Sequence, residues 1–250
     1  MARVIPVLLL ENKGLVKTVK FKDPKYIGDP INAVKLFNDL EVDELILVDI
    51  EASRLRREPD FEYLREITSE CFMPVGYAGG VTNTKQIQKL VQSGIEKIML
   101  NNSLFLQPGL LREVTNTFGA STIVAGVDVK KNLFGQFKVY DHVKKSVTSF
   151  SAVDYCMGLE DMGAGELFIN NVDADGVMRG YDLNLIMSIT ERVSIPVIAC
   201  GGCGSFGDIR QVITAGHASA AAAGSFFIYQ GPHKAVLISY PARTQLESIS

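Results

Sequence analysis

Short apolar runs rich in β-forming residues alternate with longer amphipathic stretches along the chain. Such alternation is typical of a parallel sheet whose strands are buried on both faces and joined by helices. Eight strand candidates cover residues 3–9, 44–50, 73–78, 97–101, 122–128, 166–171, 195–200 and 219–223. Helical patterns fill the intervals at about 31–40, 60–69, 84–93, 107–117, 151–162, 182–192, 206–215 and 232–239. Eight strand–helix repeats predict a (β/α)8 TIM barrel.

The two halves of the chain repeat each other at a fixed offset of 122 residues. Glu44-Leu45 recurs as Glu166-Leu167, and Gly79-Gly80 recurs as Gly201-Gly202. The same offset relates Pro74-Val75 to Pro196-Val197, Gly94 to Gly216, and Asn102-Ser103 to Gly224-Ser225. Solenoid repeats are shorter, at roughly 20–50 residues. We therefore predict a barrel built from two equivalent half-barrels.

Length and composition favour a single barrel domain over residues 1–250, since 47% of the residues are hydrophobic and 21% are charged. The formal net charge of −3 gives no general attraction to nucleic acid or to an anionic membrane. No apolar run reaches the roughly 18–20 residues of a membrane span, and the chain start becomes charged too early for a signal peptide. We expect a cytoplasmic protein whose four cysteines are free thiols.

Loops of small residues follow two predicted strands in each half of the chain. They contain Gly79, Gly80, Asn101 and Asn102 in the first half, and Gly201, Gly202, Gly224 and Ser225 in the second. A phosphate needs backbone N–H groups that approach it closely, which favours glycine, and the loops after strands seven and eight are the usual phosphate site of a barrel. These loops predict two phosphate sites and a ligand with a phosphate at each end. The structural alternative is that the glycines only permit tight turns.

Four charged residues stand at the beginnings of predicted strands, where the barrel has its bottom face. They are Arg3, Glu44, Lys97 and Glu166. If these side chains point inward they form a ring of alternating sign across the barrel axis, because buried charges must be paired. The alternative is that each one is solvated at the start of its strand.

Acidic residues follow strands at the opposite end of the barrel. They are Asp49, Asp128, Asp173 and Asp175. Asp128 ends the fifth strand and is the natural general acid or base of an inward-facing site. Its counterpart on the first strand is Leu9.

No metal or cofactor is predicted. Cys200 and Cys203 have a zinc-like or redox-like spacing, but they lie inside a glycine loop and have no second ligand pair. The three histidines lack a ligand pattern and are interpreted as surface residues: His142, His217 and His233.

The longest intervals without a helical pattern, residues 10–30 and 129–148, are expected to be loops that overhang the site.

Several motifs in order resemble the cyclase subunit of imidazole glycerol phosphate synthase, the HisF-like barrel of histidine biosynthesis. They cover nearly the whole chain: Arg3-Val4-Ile5-Pro6, Gly28-Asp29-Pro30, Asp43-Glu44-Leu45, Asp49-Ile50-x-Ala52-Ser53, Gly163-Ala164-Gly165-Glu166, Asp173-x-Asp175-Gly176 and Gly180-Tyr181-Asp182. The resemblance implies a barrel that takes ammonia from a partner glutaminase through its own axis and uses it on a substrate carrying two phosphates.

The family's residues carry over position by position. Arg3, Glu44, Lys97 and Glu166 match its ammonia gate, the glycine loops match its phosphate sites, and Asp128 matches one of its two catalytic aspartates. The other aspartate is replaced by Leu9, which cannot transfer a proton. The substrate pocket departs too, because the family's threonine-serine pair is Asn170-Asn171 and the threonine of its Asp-Gly-Thr is Val177.

An intact gate with an altered pocket looks like the HisF-like paralogue of surface-polysaccharide gene clusters, as does the tail that begins Gly231-Pro232-His233. That resemblance implies a heterodimer with a HisH-like glutaminase, and a third protein that converts an acetamido sugar to an acetamidino sugar with the ammonia. Two alternatives stay open: a working cyclase of the lyase class, and a scaffold that only activates its glutaminase.

Overall fold

The computed structural model describes residues 3–231 and 233–249. Its strands, in chain order, are β1 (Arg3–Glu11), β2 (Gly14–Val19), β3 (Lys22–Gly28), β4 (Leu45–Asp49), β5 (Val75–Ala78), β6 (Lys97–Leu100), β7 (Ile123–Lys131), β8 (Phe137–Asp141), β9 (Ser146–Ser151), β10 (Glu166–Asn171), β11 (Val197–Cys200), β12 (Ala220–Ala223), β13 (Tyr229–Gln230) and β14 (Ala235–Val236). Eight of these pair in parallel and close on themselves in the order β1-β4-β5-β6-β7-β10-β11-β12. The predicted (β/α)8 barrel is confirmed.

Helices connect the barrel strands and cover their outer faces. They are α1 (Pro30–Asp39), α2 (Ala52–Leu55), α3 (Phe61–Ser69), α4 (Thr84–Gln92), α5 (Asn102–Leu106), α6 (Leu110–Phe118), α7 (Ala152–Asp161), α8 (Leu183–Thr190), α9 (Phe206–Thr214), α10 (Ser225–Ile228) and α11 (Arg243–Glu247), with a 3-10 turn at Ala120–Thr122. Side-chain caps begin several of them; the Asp182 carboxylate, for example, accepts from the Leu185 N–H at the start of α8. Within the described residues, no helix has the length and hydrophobicity to cross a membrane.

The two long intervals are β-hairpins, not loops. β2 pairs antiparallel with the end of β1 and with β3, and β8 pairs antiparallel with the end of β7 and with β9. Barrel strands β1 and β7 extend beyond their predicted ends, which provides a template for the hairpins. Both hairpins lie over the C-terminal mouth, where Phe21 contacts Tyr140 edge to face.

The helix predicted over 232–239 is wrong. Tyr229–Gln230 and Ala235–Val236 form a two-stranded hairpin, because Gly231 takes a positive φ of 70° and accepts a turn hydrogen bond from the Lys234 N–H. Pro232 lies outside the described residues. The chain then returns to the bottom of the barrel, where the Tyr240 hydroxyl donates to the Val4 carbonyl oxygen at 2.7 Å.

Two hydrophobic cores fill the molecule. The larger lies between the strands and the helices. The smaller one, the axial core, fills the barrel interior and consists of Ile5, Val7, Ile46, Ala78, Met99, Val124, Phe168, Ile198, Cys200, Ala220 and Ala222, with Leu9 and Val48 packed against its edge. The interior is thus a packed core and not an open pore. All four cysteines are free thiols, as predicted.

Candidate functional site

A pocket of about 570 Å³ opens at the C-terminal ends of the barrel strands, beneath both hairpins. The predicted site residues that line it are Leu9, Asp49, Gly79, Gly80, Asn101, Asn102, Asp128, Asn170, Asp175, Gly224 and Ser225. Gly201, Gly202 and Asp173 do not line it. Most of the predicted site residues therefore surround one cavity, at the end of the barrel where the strands have their carboxyl ends.

Asp128 is buried at the end of β7 and is held by two side chains. Its Oδ2 accepts a hydrogen bond from the Asn101 amide at 2.9 Å and lies 3.0 Å from Nδ1 of His142. Burial lowers the pKa of His142, but the hydrogen bond to Asp128 and the charges of Asp128 and Asp141 outweigh the effect of burial, so the pKa is raised. The surface interpretation of this histidine is therefore wrong.

Leu9 places hydrocarbon in the same pocket, at the position where the family resemblance predicts a second acid. It stands beside Val48 in the register of β1 and β4, beside Val16 in that of β1 and β2, and packs against the axial core. The position on β1 that faces the pocket is therefore apolar.

Lys17 is a buried pocket residue that sequence reasoning missed. Its ammonium group donates to the Val7 carbonyl oxygen at 2.9 Å and occupies the space that a side chain at Gly224 would fill. Burial outweighs the attraction of Asp175 and Cys200 and lowers the pKa of Lys17 to about 8. The β-branched residues Val16, Thr18 and Val19 are the sequence signal for this strand, but they do not indicate which residue reaches into the pocket.

Asp175 lines the same pocket as Lys17, and its hydrogen bonds connect the first hairpin to the barrel. Its Oδ2 accepts from the Thr18 hydroxyl at 3.2 Å, and its backbone oxygen accepts from the Lys20 N–H at 2.9 Å. Burial raises the pKa of Asp175, and Lys17 and Thr18 only partly oppose that rise.

Two of the other predicted acids have structural partners. Asp49 accepts from the N–H groups of Glu51 and Ala52 at 3.0 Å each and forms an ion pair with Arg57 at 2.8 Å. Asp173 accepts from the Lys131 N–H at 3.1 Å at the base of the second hairpin. Asn170, by contrast, has a buried Oδ1 without a hydrogen-bond partner among the described residues.

The glycines of the Gly79-Gly80 and Gly201-Gly202 loops pack against backbone. A Cβ on Gly79 would lie 2.7 Å from the Asp49 carbonyl oxygen, and one on Gly201 would lie 2.6 Å from that of Asn171. A Cβ on Gly80 or Gly202 would overlap the carbonyl of Arg57 or Gly180. All four also have positive φ. Close packing and turn geometry thus account for glycine at these positions, and phosphate binding stays a prediction.

Arg3, Glu44, Lys97 and Glu166 form a closed ring of ion pairs at the opposite end of the barrel, here called the charge ring. Arg3 pairs with Glu44 at 2.6 Å and with Glu166, while Lys97 lies 2.6 Å from Glu166 and 3.7 Å from Glu44. Both carboxylates are buried. Burial lowers the pKa of Arg3, but the charges and hydrogen bonds of Glu166 and Glu44 raise it by more.

A small cavity of about 10 Å³ lies just inside the charge ring, between Glu44, Lys97 and Met99. This volume suits a molecule the size of water or ammonia. Glu44 Oε1 is buried and has no hydrogen-bond partner among the described residues. Met99 lines both this cavity and the large pocket, and in the described part of the chain it is the one residue that does so.

The chain is similar to known proteins over most of its length. Residues 3–234 match the model of the histidine biosynthesis protein family. The chain is 45% identical over 245 residues to a Pseudomonas aeruginosa protein named, provisionally, imidazole glycerol phosphate synthase subunit hisF2, with 98% of each chain covered. The chain belongs to the HisF-like family of imidazole glycerol phosphate synthase subunits.

Other HisF-like relatives cover most of the chain as well. A Vibrio vulnificus protein, provisionally named subunit hisF3, is 43% identical, with 98% of this chain and 94% of its own length covered. The imidazole glycerol phosphate synthase subunit HisF of Streptomyces coelicolor is 36% identical, with 90% and 89% covered. Among these three, the HisF-like barrel is more similar to hisF2 and hisF3 than to the Streptomyces HisF.

Proposed function

We propose that this HisF-like barrel is the synthase subunit of a glutamine amidotransferase and receives ammonia from a HisH-like glutaminase through its axis. One observation carries the proposal: the charge ring, the small cavity and the pocket follow one another along the barrel axis, with Met99 between the last two. Buried paired charges are expensive to assemble, and docking alone does not require them on the axis. The ring therefore favours a conducting subunit over a scaffold.

The acceptor we propose is a nucleotide sugar of surface-polysaccharide biosynthesis, amidinated by a third protein. Leu9 supports this choice because it removes one acid of the acid–base pair expected in a cyclase pocket. The higher identity to hisF2 and hisF3 than to the Streptomyces HisF supports it as well. A cytoplasmic heterodimer with the glutaminase is part of the same proposal.

Ammonia-dependent cyclisation of a doubly phosphorylated ribulosyl carboxamide is the second candidate. The observation in its favour is that Asp128 retains an ionisable partner in the pocket, His142, at 3.0 Å. The two candidates differ in acceptor and share the path of ammonia.

The proposal is tested with the barrel and its glutaminase reconstituted together, using glutamine labelled with ¹⁵N at the amide and an excess of unlabelled ammonium chloride. Two acceptors are compared: the doubly phosphorylated ribulosyl carboxamide, and an acetamido nucleotide sugar with its amidinating protein. Axial transfer predicts product enriched in ¹⁵N well above the label in bulk ammonium. If the ¹⁵N content of the product equals that of the bulk ammonium with both acceptors, the axial path is contradicted.

The charge ring supplies the variants for this test. Lys97→Met should bring the ¹⁵N content of the product toward the bulk value, because the cation that pairs with Glu44 and Glu166 is lost. The double variant Lys97→Met with Glu166→Gln keeps the net charge of the ring. A loss of axial transfer in this variant therefore reflects the gate and not destabilisation by an unpaired carboxylate. Lys85→Met, at an exposed position of α4, is the control.

A further inference from the structure

Asp128 has an ionisable neighbour on the second hairpin, whereas the position on β1 that faces the pocket is apolar. The position on β1 that would face the pocket with a carboxylate holds Leu9, while Asp128 Oδ2 lies 3.0 Å from His142 Nδ1. His142 lines the pocket and its side chain is 23% exposed, so the imidazole has contact both with Asp128 and with the cavity.

We propose that His142 is the second proton-transfer residue of this pocket and, with Asp128, catalyses the addition of ammonia to a carbonyl carbon of a phosphorylated acceptor. The proposal rests on the part of the proposed function that brings ammonia to the pocket, and it takes the acceptor of the second candidate, a phosphorylated carbonyl compound, as the substrate of that pocket. It adds what the pocket does with that ammonia and which residue moves the proton.

The surrounding hydrogen bonds orient His142 for this role. Because Asp128 Oδ2 also accepts from the Asn101 amide, it acts as an acceptor toward Nδ1–H of the imidazole. Nε2 is then the nitrogen that exchanges a proton with a ligand, as in other carboxylate–histidine pairs. The turn that carries His142 is fixed by Asp141, whose Oδ1 accepts from the N–H groups of Val143 and Lys144 at 3.0 and 2.9 Å.

The other ionisable groups of the pocket are less suited to the task. Lys17 is hydrogen-bonded to a backbone carbonyl, and Asp175 is engaged by Thr18. The charged groups that act on the His142 imidazole are Asp128 from β7 and Asp141 from β8, both negative, and they favour the protonated form. Lys145, in the same turn as His142, lines the pocket as well.

The step is balanced with His142 as the proton carrier. The ammonia nitrogen forms a bond to the carbonyl carbon, and the π electrons of the C=O bond move to its oxygen. The imidazolium donates its Nε2 proton to that oxygen, and neutral Nε2 then takes one proton from the newly bonded nitrogen. The product is a carbinolamine, with a hydroxyl and an amino group on the former carbonyl carbon, and the imidazolium is restored.

The experiment supplies ammonium chloride directly, without glutaminase, and uses the doubly phosphorylated ribulosyl carboxamide as the probe, since its ribulosyl ketone is a carbonyl acceptor. His142→Asn keeps a donor beside Asp128 but cannot transfer a proton. We expect its kcat for ammonia-dependent consumption of the probe to fall about 10²-fold or more, with KM nearly unchanged. His217→Asn, at an exposed position on the opposite face, should match the parent.

Two further readouts separate catalysis from a structural role. The parent's rate should vary with pH through a group whose pKa lies above the ordinary histidine value, and this dependence should vanish in His142→Asn. Added imidazole should restore activity to His142→Ala, which a purely structural role of the side chain does not predict.

Two results would overturn the inference: His142→Asn within threefold of the parent, or a parent that does not consume the probe with ammonium. Ammonium from solution bypasses the charge ring, so these results do not bear on axial transfer. The labelled-glutamine experiment tests that transfer separately, and it does so with either acceptor.

Discussion

The ammonium group of Lys17 hydrogen-bonds the carbonyl oxygen of Val7 at 2.9 Å, so a residue of the first hairpin is fixed to the strand that precedes it. The same group fills the space beside Gly224, at the start of α10. A cation thus lies, fully buried, at the point where the sequence predicts one of two phosphate sites. The arrangement explains why glycine is required at 224 and suggests how the pocket would hold an anion.

Lys17→Met tests the energetic role of this cation. The folded pKa of about 8 lies below the ordinary lysine value of 10.5, so the contribution of Lys17 to stability is full above pH 10.5 and is lost as the pH falls through 8. The free energy of unfolding of Lys17→Met minus that of the parent should therefore be larger at pH 7 than at pH 10. Urea unfolding at the two pH values measures this difference, with Lys25→Met on the exposed face of β3 as the control. An equal difference at both pH values would show that Lys17 titrates normally.

The same variant tests anion binding. Loss of the Lys17 charge should weaken binding of inorganic pyrophosphate measured by calorimetry, since charge-assisted contacts to phosphate are lost. Unchanged binding would place the phosphate elsewhere, away from Gly224.

Leu9→Asp should raise ammonia-dependent turnover of the doubly phosphorylated ribulosyl carboxamide, because it returns a proton-transfer group to β1. A positioned acid or base contributes typically about 10²–10⁴-fold, and this range is the upper limit of the gain because, in our proposal, His142 already supplies one proton-transfer group. Leu9→Asn has nearly the same shape without the acid and should show no gain. Equal activity in the two variants would mean that polarity and not proton transfer limits the parent.

Met99 is expected to control passage along the axis, because it lines both the small cavity and the pocket. Its side chain is unbranched and adaptable, which suits a residue that must move aside. Met99→Phe should lower the share of glutamine nitrogen in the product, whereas Met99→Leu, a swap of similar volume, should preserve more of it. Thermal unfolding of both variants checks for overpacking against Gly126, where Met99 packs closely.

Gly201→Ala should destabilise the barrel by roughly 1–3 kcal/mol, since the residue has a φ of 88° and its new Cβ would lie 2.6 Å from a carbonyl oxygen. Gly109→Ala is the matched control, because its φ is negative and nothing lies within 4 Å of the added carbon. Denaturant unfolding compares the two. A Gly201→Ala variant of parental stability that lost phosphate binding would instead assign this glycine to the ligand.

Local sequence patterns were sufficient for the barrel and for the positions of its charges. Strand and helix periodicity arises from neighbouring residues, so the buried runs predicted all eight barrel strands. The hairpins were missed because their pairing depends on how far β1 and β7 extend, which is a property of the sheet. The helix over 232–239 failed at Gly231, whose positive φ closes a turn.

Sequence by itself determined that this chain is a (β/α)8 barrel with Arg3, Glu44, Lys97 and Glu166 at strand starts and Asp128 at a strand end, because strand order and direction follow from alternation along the chain. Only the tertiary structure decided that Lys17 and His142 enter the pocket, while Asp49 and Asp173 bind backbone N–H groups. Those contacts depend on hairpin register and turn geometry, which bring together residues that no local pattern relates.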